Sequence, residues 1–511
     1  MLAKIKSYGL NGIDGYPVTV EIDISGGLPS FDLVGLADTS IKESKERVKS
    51  AIKNSGYQYP VNKITINLAP ADQKKDRPVY DVAIAVAILS ATGQIPVDNV
   101  KDYIFLGELS LDGEIKRIQG VLPSIISARQ EGYKKFIIPY DNRLEASFVS
   151  DVECYAVKSL EEIFKFFNNE LTLKAVESSS YEQMLQTENV SCLDFKNVKG
   201  QQSAKRALEI AAAGGHNILM IGPPGSGKTM LAKCFSGILP RMTFEEALEV
   251  TKIHSVAGEL NHSKGIVLNR PFRSPHHTAS TVSIAGGNAN SKPGEVSLAH
   301  NGVLFLDEMP EYSRQLLETL RQPLEDASIT VARARQTVIY PASFVLVASM
   351  NPCPCGNYGS KIQECKCSQN QIHKYLSKLS GPLMDRIDLH VEVDSVSYDD
   401  LHDNSEQECS ADIKKRVDFA RNKQSERFKN SKIHCNAKMS VEHTKKYCKL
   451  DEECKLLMKD AFDNLKLSAR AHDRILKVAR TIADLDGSEN IKIEHIAEAI
   501  QYRSLDRKYW V

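Results

Sequence analysis

The chain has no surplus charge of either sign: 65 lysines and arginines face 65 aspartates and glutamates over 511 residues. A global basic field that would hold nucleic acid is therefore excluded, and any such contact must come from local patches. No window is apolar for the length a bilayer span needs. The opening Met1-Leu-Ala-Lys-Ile-Lys-Ser-Tyr has two positive charges but no continuous apolar run after them, so no secretory leader is expected there. Without an export signal, the 11 cysteines read as reduced thiols and metal ligands, not as a disulfide framework, and the expected compartment is the cytoplasm. Internal repeats are not evident. What remains is an ordinary globular composition, 42% hydrophobic and 25% charged, long enough for about three domains.

Three blocks are expected along an α/β chain. In residues 1–175, Val18–Ile24 and Ile64–Leu68 alternate with period two, as half-buried strands do. The alanine-rich Asp81–Ser90 predicts a buried helix. Residues 176–192 are polar and serine-rich and read as a linker. Residues 193–393 alternate α and β. Residues 394–511 are charged and helix-periodic, as in Arg474–Ala483 and His495–Ile500, and read as a small helical lid.

The octapeptide Gly222-Pro223-Pro224-Gly225-Ser226-Gly227-Lys228-Thr229 carries the most chemistry. It follows the apolar run Ile218–Ile221 and precedes a helix-like segment, Met230–Leu239. That is the strand, phosphate loop and helix context of GxxxxGK[ST]. Its glycines let backbone N–H groups turn onto phosphate oxygens, and the helix N-terminus adds positive charge. Lys228 can reach the β- and γ-phosphates of ATP, and Thr229 can ligate Mg²⁺. A second apolar run, Val303–Leu306, fits a buried parallel strand and ends in Asp307-Glu308. There Asp307 can hold the Mg²⁺ shell and Glu308 can polarise the attacking water. A third, Phe344–Met350, ends in Asn351, either a γ-phosphate sensor or a surface asparagine before Pro352. Arg386, in Ser380–Asp388, is poorly placed for its own nucleotide and well placed for a neighbour's; a surface pair with Asp388 is the alternative. Arg470 is a candidate second sensor, with Arg474 as its rival.

Other patterns are less specific. Lys228 and Asp307 lie 79 residues apart, whereas a minimal βαβ unit needs about 30. The excess includes Gly258–Ala299. Ser328–Tyr340 alternates like a β-hairpin around Arg333 and Arg335, which either grip DNA phosphates in a channel or lie solvated on an edge. His276-His277 are expected to point apart on a strand, which disfavours a shared metal. Cys353-Pro-Cys355 and Cys365-Lys-Cys367 offer four thiolates for a structural Zn²⁺; free thiols or two disulfides are the alternatives. Lys414–Arg416 and Lys445-Lys446 are basic runs in the lid, touching nucleic acid or forming a solvated face.

With these motifs, Asn197–Gln201, Ala211–Asn217, Phe272–Thr278 and Gly381–His390 resemble the magnesium-chelatase-like AAA+ ATPases, and more narrowly the ComM/YifB family, over essentially the whole chain. The resemblance implies a homo-oligomeric ring, usually a hexamer, with ATP and Mg²⁺ between subunits, a pore-facing loop in the insertion, and helicase action driving branch migration of recombining DNA during natural transformation. Residues 64–139 resemble the proteolytic domain of Lon through Ile66–Asp72, Gly107–Gly113 and Ile118–Gly120. The family's serine nucleophile should fall in Asp76–Asp81, where Val79 is the closest match, and its lysine in Val121–Ser124, which holds none. A catalytically dead scaffold or substrate-handling module is expected. A protein-remodelling chaperone and a metal-chelatase motor subunit are the competing functions.

Overall fold

The computed structural model describes the chain apart from residues 1, 36–37, 39–40, 42, 74, 76, 188–192, 262, 288–290, 334–335, 360–362, 396–406, 430, 432, 466, 506–508 and 510–511. The N-terminal unit is a mixed sheet built from β1 (Leu2–Asn11), β2 (Asp14–Ser25), β3 (Ser30–Val34), β4 (Lys63–Ala69), β5 (Tyr103–Phe105), β6 (Lys135–Pro139) and β7 (Glu153–Val157). Its strand order is β3-β4-β2-β1-β5-β6-β7, antiparallel across β4-β2-β1 and parallel elsewhere. Period-two alternation sends Val18, Val20, Ile22, Ile64, Ile66 and Leu68 into one core. The helices packed on it include the following two. The first, α1 (Asp81–Ala91), is buried along its whole length, as its small and branched apolar residues require. The second is α2 (Val121–Gln130). The stretch expected to be a linker carries a helix, α3 (Tyr181–Thr187). Its polar composition hid one apolar anchor: Tyr181 is buried beside Phe244 and donates to the Met242 carbonyl at 3.0 Å.

The second unit is a three-layer α/β arrangement. Helix α4 (Gln202–Gly214) leads to β8 (Ile218–Ile221), then α5 (Lys228–Ile238) and α6 (Phe244–Ala257). There follow β9 (Phe272–Arg273), β10 (Val303–Leu306), the hairpin β11 (Ser328–Arg333) and β12 (Gln336–Pro341), β13 (Val345–Met350), α7 (Gln369–Leu376) and β14 (Leu389–Glu392). The sheet runs β9-β10-β13-β8-β14 and every pairing is parallel. Its central strands are continuous apolar runs because both faces are covered. The lid follows, with α8 (Ser410–Arg427), α9 (Ala469–Leu485) and α10 (Ile493–Gln501); α8 and α9 share one hydrophobic core with α4, α5 and the sheet. No helix among the described residues is long and apolar enough to cross a membrane.

The N-terminal unit docks on α6. The Gly120 N–H donates to Ser255 Oγ at 3.2 Å, and that hydroxyl donates to Glu145 at 2.7 Å. Glu145 also accepts from the Leu122 N–H and the Asn142 amide. Burial pushes its carboxyl above the usual range. The segment that would hold the Lon-type lysine is thus an interface, and the Ser124 hydroxyl donates back to the Gly120 carbonyl at 2.8 Å. Val79 is buried at the start of α1, two residues before Asp81, which Arg47 pairs at 2.7 Å.

Candidate functional site

In a parallel α/β sheet the C-terminal strand ends form the binding crevice. Here those ends carry the phosphate loop after β8, Asp307-Glu308 after β10 and Asn351 after β13. Gly225 and Gly227 hold φ of 78° and 87°, left-handed values that an L side chain would strain, and the loop enters α5 directly. The Lys228 ammonium folds onto its own loop, donating to the carbonyls of Gly222 and Pro223 at 2.7 Å each and to Asn351 Oδ1 at 3.4 Å. Burial pulls its pKa down to about 8, against the opposing pull of Asp307 and Glu308. Thr229 Oγ1 donates to Asp307 Oδ2 at 2.8 Å, so the two expected Mg²⁺ ligands already touch.

Glu308 sits at φ 51°, a strained value for a non-glycine residue. Its N–H donates to Ser349 Oγ at 3.2 Å and to Asp307 Oδ1 at 3.1 Å, and the Ser349 hydroxyl donates to Asp307. Ser349 was not singled out from sequence, although a hydroxyl inside the apolar run of β13 was the available signal.

Arg386 is at the other end of the sheet. It precedes β14, and its carbonyl accepts from Asn217, the residue before β8, at 2.9 Å. Four-residue strands separate that edge from the phosphate loop, about 13 Å of sheet at a rise of about 3.3 Å per residue. The alternative pairing with Asp388 is not formed. Arg386 donates to Glu325 and to the Pro382 carbonyl. Asp388 instead takes Arg474 and His216 Nδ1, the latter at 2.9 Å. Arg474 is thereby engaged as a structural cation. Arg470 remains 63% exposed, with Asp385 at 4.0 Å.

The four cysteines converge. Sγ–Sγ separations are 3.4 Å for Cys353–Cys355, 3.7 Å for Cys353–Cys365 and 3.6 Å for Cys355–Cys365, and all four sulfurs, including Cys367, lie within 4.8 Å. Disulfides are excluded at these distances, which approach the edge of about 3.8 Å of a tetrahedron with Zn–S near 2.3 Å. Among the described residues this is the one such cluster. It abuts the phosphate loop: a Cβ on Gly356 would fall 2.5 Å from Pro224 Cδ. Cys192 lies outside the described residues; Cys154, Cys234, Cys409, Cys435, Cys448 and Cys454 form no disulfide.

The hairpin expected at Ser328–Tyr340 is present, with Arg333 opposite Gln336 in register; Arg335 lies outside the described residues. His276 and His277 are not on a strand, because β9 stops at Arg273; their rings lie 4.1 Å apart instead of pointing away from each other. In the lid, Lys414 donates to the Leu239 carbonyl, Lys415 pairs with Asp412 at 2.8 Å, and Arg416 bridges Glu209 and Glu408, so this basic run is largely neutralised within the chain.

Three family descriptions match in tandem: subunit ChlI of Mg-chelatase over residues 20–142, magnesium chelatase subunit ChlI over 194–401, and its C-terminal part over 407–503. The chain is 42% identical to competence protein ComM of Haemophilus influenzae over 508 residues, covering 99% of this chain and 98% of that one. It is 43% identical to YifB of Escherichia coli over 498 residues, covering 97% and 96%. Its N-terminal part is 31% identical to Lon protease 2 of Bacillus subtilis over 171 residues, covering 30% of each chain. With near-complete coverage at such identity, and with the phosphate loop, the Asp307-Glu308 strand and the lid in place, the chain belongs to the ComM/YifB family of magnesium-chelatase-like AAA+ proteins.

Proposed function

We propose that this protein is a ring-forming, ATP-dependent DNA motor that hydrolyses ATP and acts as a helicase or branch-migration enzyme in recombination or natural transformation. One observation carries the ring. Arg386 stands across the sheet from the phosphate loop of its own chain, so a finger role requires a neighbouring subunit. In this reading Gly222–Gly227 cradle the phosphates and Lys228 neutralises them. Thr229 and Asp307 hold Mg²⁺, which when bound with ATP spreads the negative charge on the phosphate oxygens. Glu308 orients the attacking water, Asn351 contacts the γ-phosphate, Arg386 reaches the adjacent subunit's nucleotide, and Arg470 is the second sensor. The sulfur separations fit a structural Zn²⁺ at Cys353, Cys355, Cys365 and Cys367.

DNA as the substrate is supported by full-length similarity to a competence protein and by the hairpin just before β13, whose first strand ends at Arg333. The N-terminal domain, with Val79 and Ser124 where a nucleophile and base would stand, is a catalytically inactive scaffold docked on α6. Similarity of that domain to a Lon protease favours a second reading, ATP-driven remodelling of protein. The two separate in an ATPase assay with added single-stranded DNA, a branched junction or an unfolded protein. Stimulation by DNA alone supports the motor; stimulation by the polypeptide alone favours remodelling and displaces it.

A further inference from the structure

Arg386 is confined by its own chain. Its Nη2 donates to Glu325, its Nη1 to the Pro382 carbonyl at 2.5 Å, and its Nε is buried without a partner. The Arg386 side chain is only 7% exposed, whereas Glu325 is 57% exposed. Arg386 first, and then Arg470 and Arg321, hold the Glu325 carboxyl below its usual range. Arg321 is itself paired with Glu318 at 2.8 Å. Glu325 is thus the carboxylate that Arg386 contacts within its own chain, with Arg386 paired across the fold and Glu325 open to water.

We propose that Glu325 is a positioning residue that stores the Arg386 guanidinium in the unassembled chain and releases it to a neighbour's γ-phosphate when the ring closes. The inference rests on the proposed trans role of Arg386. Water can take over the Glu325 side of the pair, because that carboxylate is 57% exposed, whereas the buried Arg386 guanidinium leaves only for an acceptor that replaces it. Moving outward also lets the buried, unpartnered Nε find an acceptor. A triphosphate offers stronger, charge-assisted bonds than one carboxylate. Assembly must first break the internal pair, so the pair raises the protein concentration at which hydrolysis switches on.

The test is ATP hydrolysis by the full chain against protein concentration, with melting temperatures checked in parallel. Glu325→Gln is expected to lower the half-maximal concentration about three- to tenfold, a larger change than in kcat. Glu325→Asp, which keeps the carboxylate, should stay near wild type. In the Arg386→Ala background, where hydrolysis is expected to be lost, assembly in ATP followed by light scattering is the readout, and adding Glu325→Gln should leave the half-maximal concentration unshifted. A half-maximal concentration within twofold of wild type for Glu325→Gln, or the same shift in both backgrounds, overturns the inference. Titrating Arg386→Ala subunits into wild type tests the underlying reading separately: loss steeper than simple dilution supports the trans role, and linear loss overturns it.

Discussion

Asp388 is the buried anion that fastens the lid to the ATPase sheet. It is 3% exposed, one residue before β14, and takes Arg474 from α9 and His216 from the turn before β8. The same imidazole reaches Thr481 of α9 at 2.8 Å. Burial alone would raise the carboxyl; Arg474 and then His216 overcome it and hold it well below the carboxylate range. Asp388→Asn preserves shape and leaves Arg474 without its counter-charge. Removing one partner of a buried pair costs about 3–5 kcal/mol. Arg474 is 23% exposed, so water recovers part of this. A loss of about 2–3 kcal/mol is expected, roughly 4–12 °C in the melting midpoint for a unit of this size. The sign with pH follows from the folded value lying below the unfolded 3.8. The stabilisation is fully present above that value and is lost as pH falls through the lower folded value. Urea unfolding of wild type and variant should therefore show a gap that is constant near neutral pH and narrows only below 3.8. A variant melting within about 1 °C of wild type would refute the reasoning. So would a gap that closes near neutral pH, since another group would then be titrating.

Three further outcomes are expected. Lys228 has a pKa of about 8, and nucleotide phosphates must raise it, so ATP binding near pH 8.5 should take up a fraction of a proton. Calorimetry in two buffers of different ionisation enthalpy measures this, and no uptake contradicts the assignment. Ser349→Ala removes the hydroxyl that orients Asp307 and the Glu308 backbone; hydrolysis should fall about 10- to 100-fold with ATP affinity little changed. Stripping metal from the cysteine cluster should slow hydrolysis, because Gly356 of the cluster loop stands against Pro224 of the phosphate loop. Metal-depleted protein, proven by zinc analysis, that keeps its full rate excludes that coupling.

Much of this was legible because the relevant signals are local. A phosphate loop announces itself by glycine spacing between a strand and a helix, and Asp307-Glu308 by a four-residue apolar run before it. The helix over Asp81–Ala91 follows from alanine-rich composition. What stayed hidden depends on distant partners. Glu325 and Arg386 are 61 positions apart, and His216 and Asp388 are 172 apart, so no spacing rule pairs them. The alternative Arg386–Asp388 pair is not formed because each residue engages a partner distant in sequence, Glu325 for Arg386 and Arg474 with His216 for Asp388. The histidine doublet was misplaced because β9 is only two residues long and ends before it. Tyr181 was one aromatic in a polar stretch, and its anchoring role depends on Met242 and Phe244.

The central claim is that ATP hydrolysis at this site moves DNA. The most direct measurement follows a labelled branched DNA junction during ATP turnover, comparing wild type with Glu308→Gln. Wild type is expected to move the branch, while the variant binds ATP and leaves the branch in place. A wild type that hydrolyses ATP and leaves the junction unmoved would contradict that claim.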